Sequence, residues 1–100
     1  MIIYSVACTI SKEIEADWKK FFLEKHLDDV VNTGCFKSWQ FRKIVSLEET
    51  ETVTYVSEYL CENQETLDRY NQNFAANLKA DVGQLFSGKY TCERTLFEVV

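Results

Sequence analysis

Proline is absent from this chain of 100 residues, and glycine occurs only 3 times. These two shortages exclude collagen-like repeats, proline-rich linkers and Gly/Ser tethers, and leave little turn chemistry for a loop-built scaffold. Nearly the whole chain is therefore expected in regular elements with short connections. The glycines are isolated from one another, so no phosphate-cradling glycine-rich loop exists. Basic residues are also in short supply, 11 Lys and Arg against 16 Asp and Glu, for a formal net charge of −5. Lys19-Lys20 and Arg42-Lys43 are the nearest things to a basic patch, too small to follow a phosphate backbone, so nucleic acid is excluded as a main partner. No apolar run approaches the roughly 20 residues of a membrane span, and no membrane partner is expected. The opening from Met1 to Cys8 has no basic n-region and alternates like a strand, which predicts a cytoplasmic protein without a leader.

Cysteine pairs at metal-site spacing are missing too. Cys8, Cys35, Cys61 and Cys92 are far apart, and none forms CxxC. A reducing cytosol favours buried free thiols over a disulfide or a zinc site, and free thiols are the expectation here. Two acidic clusters add nothing to this. Asp28 and Asp29, adjacent on a helix, point about 100° apart and share a cation poorly. Glu48, Glu49 and Glu51 read as a solvated connection. No metal or other cofactor is expected.

What the chain does have is clear periodicity. Ile2, Tyr4, Val6, Cys8 and Ile10 alternate with Ile3, Ser5, Ala7 and Thr9, which predicts a strand over 2–10. Ser11 can cap a helix whose first turn carries Glu13 and Glu15, and whose apolar stripe runs through Ile14, Trp18, Phe21, Phe22, Leu27, Val30 and Val31 to a stop at Gly34. Residues 35–47 predict a second strand, and 53–61 a third. Asn63 caps a second helix with Leu67, Tyr70, Phe74, Leu78 and Val82 on one stripe, stopping at Gly83. Gly88 turns the chain into a last strand over 89–100. The order β-α-β-β-α-β predicts one α+β domain over 1–100, a ferredoxin-like sandwich with antiparallel sheet order 4-1-3-2.

In such a sandwich both helices cover one sheet face, and the open face should be polar. Strand two instead carries Trp39, Phe41, Val45 and Leu47 on one side and Phe36 and Ile44 on the other. Strand three sets Tyr55 and Tyr59 against Val56 and Leu60. Apolar surface on both sides predicts a homodimer, sheet against sheet through the open face, forming a dimeric α/β barrel.

Met1-Ile2-Ile3-Tyr4, Trp18, Glu24-Lys25-His26-Leu27-Asp28-Asp29-Val30, Thr33-Gly34-Cys35-Phe36 and Arg94-Thr95-Leu96-Phe97-Glu98-Val99-Val100 together resemble a family of small bacterial proteins. It occurs largely in the Bacteroidetes and is known as a domain of unknown function. The resemblance spans essentially the whole chain. The family pattern reads Glu-His-Ile-Pro-Asp where this chain has Asp28 in the proline position, so a proline kink is not expected. The resemblance implies the dimeric α/β-barrel fold group and no assigned activity. Similar folds include cofactor-independent monooxygenases of the antibiotic-biosynthesis type, haem-degrading enzymes and stress-responsive barrel proteins, but fold alone implies no function.

Six residues are candidates for ligand contact. His26, the only histidine, lies at the edge of the helical apolar stripe and titrates nearest neutrality. Arg42 and Arg94 lie in strands, where each either pairs with an acid such as Glu58 or Glu93 or holds the carboxylate or phosphate of a small ligand. Trp39, Tyr55 and Tyr59 suit a flat organic ligand if they face one interior, and otherwise serve the core or an interface. The leading expectation is a small-molecule binding or accessory protein. A cofactor-independent monooxygenase or haem-linked enzyme, with His26 as base or ligand, and a protein-interaction module are the alternatives. No catalytic residue is assigned.

Overall fold

The structure is a computed structural model that describes residues 1–100. Strand β1 spans Ile2–Ser11, and a short turn at Lys12–Ile14 follows, with the Ser11 hydroxyl accepting from the Glu13 N–H. Helix α1, residues 15–31, is α-helical over Glu15–Phe21 and Leu27–Val31 with one π turn at Phe22–His26 between them. Strands β2, Ser38–Ile44, and β3, Thr52–Cys61, come next. Helices α2, Gln64–Asn73, and α3, Ala75–Phe86, precede strand β4, Tyr90–Glu98. The sheet is antiparallel throughout, in the order β2-β3-β1-β4, which reads β4-β1-β3-β2 from the other edge. The fold is α+β and ferredoxin-like.

Local chemistry accounts for most boundaries. The Asn63 side chain accepts from the Thr66 N–H at 2.9 Å and starts α2. Gly34 ends α1 at φ +84 and Gly88 turns into β4 at φ +79, left-handed values that favour glycine.

Four local expectations are corrected. Strand two is shorter than 35–47: Cys35 and Phe36 are buried ahead of it, and Val45–Leu47 curl into an exposed 3₁₀ turn. The second helix is broken at Phe74 (φ −127), and Gly83 does not stop it, since α3 continues to Phe86. The first helix, with no proline, is nonetheless irregular, because the Leu27 N–H reaches back five residues to the Phe22 carbonyl. Finally, two of the four cysteines are not free thiols. Cys8 and Cys92 stand directly opposite in the β1–β4 register, with Cα atoms 4.1 Å apart, and are joined as a disulfide. Sequence separation hid a pairing that register makes immediate. Cys35 and Cys61 remain free and buried.

The core lies between the sheet and the helices. Alternation puts Tyr4, Cys8 and Ile10 of β1 and Val53, Tyr55, Tyr59 and Cys61 of β3 on the helix side, all buried. Trp18, at 0% exposure, packs its ring on Phe22 at 4.5 Å, Phe86 at 5.2 Å and Tyr90 at 5.3 Å. The opposite face is less apolar than the sequence suggests. Trp39 and Phe41 both turn inward, as partners of Tyr59 and Ser57. The outer face keeps Ile3, Leu60 and Phe97 in one cross-strand row among Ser5, Thr95, Gln40 and the Arg42–Glu58 ion pair.

Candidate functional site

The apolar stripe of α1 places Trp18, Phe22 and His26 four residues apart along one face, above the sheet. Between them, β1, β3, β4 and α3 lies a cavity of about 60 Å³. Its walls are mainly apolar and aromatic, with His26 on the helix side and Cys8, Tyr59 and Cys92 on the sheet side. Tyr4, Lys79 and Arg94 also line it. The same three residues line a shallow groove of about 550 Å³ between β4 and the α2–α3 pair, so the cavity and groove meet at one rim.

His26 is buried, at 8% exposure, with its ring 4.6 Å from Phe22 and 5.6 Å from Phe21. Burial drives its pKa down from 6.5 to about 4, against the opposing pull of Asp29 and Asp81, while Lys25 adds slightly to the drop. The imidazole is therefore neutral at neutral pH, and its Nδ1 is buried with no hydrogen-bond partner. A second orphan lies in the same wall: the Trp18 Nε1–H is also buried and unpartnered. Buried polar groups are nearly always paired, so two unpaired ones on residues of one cavity wall are unusual. The π turn that ends at His26 adds to this, because such turns concentrate at functional positions.

The six residues expected from sequence divide evenly. His26, Tyr59 and Arg94 line the cavity. Burial pushes the Tyr59 phenol above its ordinary value. Arg94 does not pair with Glu93, which lies on the other face, and its Nε donates to the Tyr4 hydroxyl at 2.9 Å. Trp39, Arg42 and Tyr55 lie elsewhere. The Trp39 Nε1–H donates to Asp28 at 2.9 Å and fastens β2 to the end of α1. Arg42 pairs with Val56 in register, faces outward, and binds Glu58 and Gln40. Tyr55 shares the helix side, but its hydroxyl donates to Glu15 at 2.6 Å, a bond that with Lys43 holds the Glu15 carboxyl below its usual range.

Trp18 and Lys79 were not among the sequence candidates. Trp18 reads as an ordinary stripe residue, although its spacing of eight from His26 already puts both on one helix face. Lys79 follows Leu78 of the second stripe and reads as a surface lysine. No group of three or more His, Cys, Asp or Glu side chains is arranged to hold a metal ion.

One comparison settles family membership. The chain belongs to the Domain of unknown function (DUF4286) family, matched over residues 1–100. No curated protein matches it by sequence. Among solved structures it is similar to the haem-degrader MhuD of Mycobacterium tuberculosis, at 20% identity and TM-score 0.73, covering 100% of this chain and 96% of that one. SnoaB, a cofactor-independent oxygenase of Streptomyces nogalater, is similar at 10% identity and TM-score 0.64, covering 98% and 92%. The de novo designed protein Foldit4 is similar at 13% identity and TM-score 0.60, covering 99% and 98%. At these identities the likeness is one of fold, and a designed protein among the neighbours underlines that fold carries no activity by itself. No helix of this DUF4286 protein is long and apolar enough to cross a membrane.

Proposed function

We propose that this DUF4286 chain, acting as one domain over 1–100, binds a small, largely apolar organic molecule in the cavity beneath α1. The observation that carries this reading is a mainly apolar cavity, two of whose lining residues, Trp18 and His26, each carry a buried nitrogen without a hydrogen-bond partner. Leaving a buried donor or acceptor unpaired costs about 1–3 kcal/mol. A ligand whose polar atom reaches the Trp18 Nε1–H or the His26 Nδ1 recovers that energy on binding.

Acid–base catalysis fits less well. A conjugate acid with pKa about 4 gives an imidazole with little appetite for a proton at neutral pH. Nor do the surroundings fit a porphyrin. A cavity of about 60 Å³ is on the order of two waters' share of liquid volume. Binding is therefore preferred to the monooxygenase and haem-linked readings.

Trp18→Phe tests the proposal. It keeps the aromatic packing and deletes the orphan donor, so thermal stability should hold or rise. Any hit from a thermal-shift screen of acids, alcohols and amides of two to four carbons should weaken at least about tenfold, the worth of one good buried hydrogen bond. A screen without hits, or a hit indifferent to Trp18→Phe and His26→Ala alike, overturns the reading.

The reading includes a homodimer formed through the outer sheet face, supported by the row of Ile3, Leu60 and Phe97, with Phe97 48% exposed. Light scattering of the native chain should give twice the chain mass, and Phe97→Glu should halve it. A native mass of one chain sinks the dimer. The location we propose is the cytoplasm. The Cys8–Cys92 bond is the observation that weighs against it, because cytosolic thiols are held reduced.

A further inference from the structure

The cavity rim carries a feature that apolar binding alone does not use. Lys79 of α3 and Arg94 of β4 sit side by side there, and both line the cavity, the groove beyond it and a third depression towards Gly88. Neither makes an ion pair; Lys12, Lys25, Arg42, Lys43 and Lys89 do, and Lys19, Lys20, Lys37 and Arg69 do not, but none of these lines the cavity. Lys79 is held below its ordinary pKa, first by partial burial and then by the Arg94 charge, so each cation feels the other. Like charges brought together without an acid between them repel, and an anion placed at that point removes the repulsion.

Arg94 is well prepared for such an anion. Its Nε–H is engaged by the buried Tyr4 hydroxyl, which fixes the plane of the guanidinium and leaves the terminal nitrogens for a forked contact. Lys79 supplies a mobile point charge from the facing helix. Both line the mainly apolar cavity beneath α1, whose wall also includes Trp18 and His26. One ligand suits that sequence of environments: an anionic head at the rim joined to a small apolar body inside.

We propose that the ligand is an organic carboxylate, its head held between Lys79 and Arg94 and its apolar body directed into the cavity towards Trp18 and His26. This rests on the cavity being a binding site, and names the class of molecule that it takes. Carboxylate is favoured over phosphate because the guanidinium fixed by Tyr4 presents one planar forked pair of donors, which matches the two coplanar oxygens of a carboxylate.

The test compares small acids with their isosteric neutral amides by titration calorimetry, using propanoate against propanamide and butanoate against butanamide, whose short apolar bodies suit a cavity of about 60 Å³. The acid of at least one pair should bind about tenfold or more tightly than its amide, with affinity falling as salt is raised. In Arg94→Gln and in Lys79→Gln that preference should shrink to within about threefold. Both side chains are exposed at the rim, and an unchanged thermal midpoint shows that each variant folds. Amides binding as well as acids would overturn the carboxylate assignment and leave the cavity reading standing. A preference for acids that survives both substitutions would put the head elsewhere and overturn the rim assignment. Failure of every acid and every amide to bind would overturn this inference together with the cavity reading.

Discussion

Reduction of the Cys8–Cys92 disulfide should lower the stability of this protein by about 4–5 kcal/mol, the chain-entropy value for a loop of this length. The bond closes 84 residues of sequence, from the first strand to the last. Without it the unfolded chain regains the freedom that the closure removed, while the native β1–β4 ladder stays paired through its backbone. For a chain of this size such a loss shifts the thermal midpoint by roughly 20 °C or more. Unfolding measured with and without reductant gives the number. The double variant Cys8→Ala, Cys92→Ala should behave as the reduced protein and ignore reductant. Alkylation in denaturant without reductant, read by mass spectrometry, should label Cys35 and Cys61 but not Cys8 or Cys92. Four thiols labelled in denaturant without reductant, with a midpoint indifferent to reductant, would reinstate the free thiols expected from the sequence. The result also bears on location, because a bond that persists in the cell argues for an oxidising compartment.

His26 should make the protein sensitive to mild acid. Its pKa is about 4 in the folded chain and 6.5 when solvated, so between these values the unfolded state binds the proton and the folded state does not. Stability from this group is complete above about pH 6.5 and declines as pH falls towards 4, with a total loss of about 3 kcal/mol. The groups facing it, Asp29 and Asp81 against Lys25, partly offset the burial that sets the shift and do not reverse it. Carboxylates held below their ordinary value of 4.5, such as Glu13 and Glu15, weaken the fold only at lower pH, so the window from 6.5 to 4.5 belongs to His26. Denaturant melts between pH 7 and about 5 should lose about 2 kcal/mol in the native chain. The loss should vanish in His26→Leu, a substitution that also removes an orphaned buried nitrogen. That variant should therefore be at least as stable as the native chain at pH 7, and should bind carboxylates less well. A flat profile in the native chain would show that His26 is solvated, and a steep one in the variant that other groups carry the pH dependence.

Both results concern residues whose identity was plain in the sequence and whose situation was not. His26 was legible as an unusual residue on an apolar stripe. That its Nδ1 has no partner depends on what the sheet and α3 bring against it. Trp18 shows the same divide. Its place on the stripe followed from helical spacing, but an indole N–H becomes an orphan only when every neighbour at contact distance is apolar. Arg42 and Arg94 looked equivalent, each a cation in a strand. Arg42 lies opposite Val56 on the outer face and meets Glu58, whereas Arg94 lies on the helix side and meets Tyr4.

The sequence alone determined what depends on neighbours within a few residues. Alternation of period two marked the strands, and spacing of three and four marked the helices. Asn63 and Ser11 announced two starts, and Gly34 and Gly88 two sharp turns. These signals are local because backbone sterics, capping and amphipathic burial act over one turn or one pleat. Tertiary structure alone decided what depends on residues far apart in the chain: which sheet face receives the helices, the register that sets Cys8 opposite Cys92, the π turn that carries His26, and the meeting of Lys79 with Arg94. Each needs strands and helices to be placed against one another, and periodicity within an element says which residues share a face without saying what that face will touch.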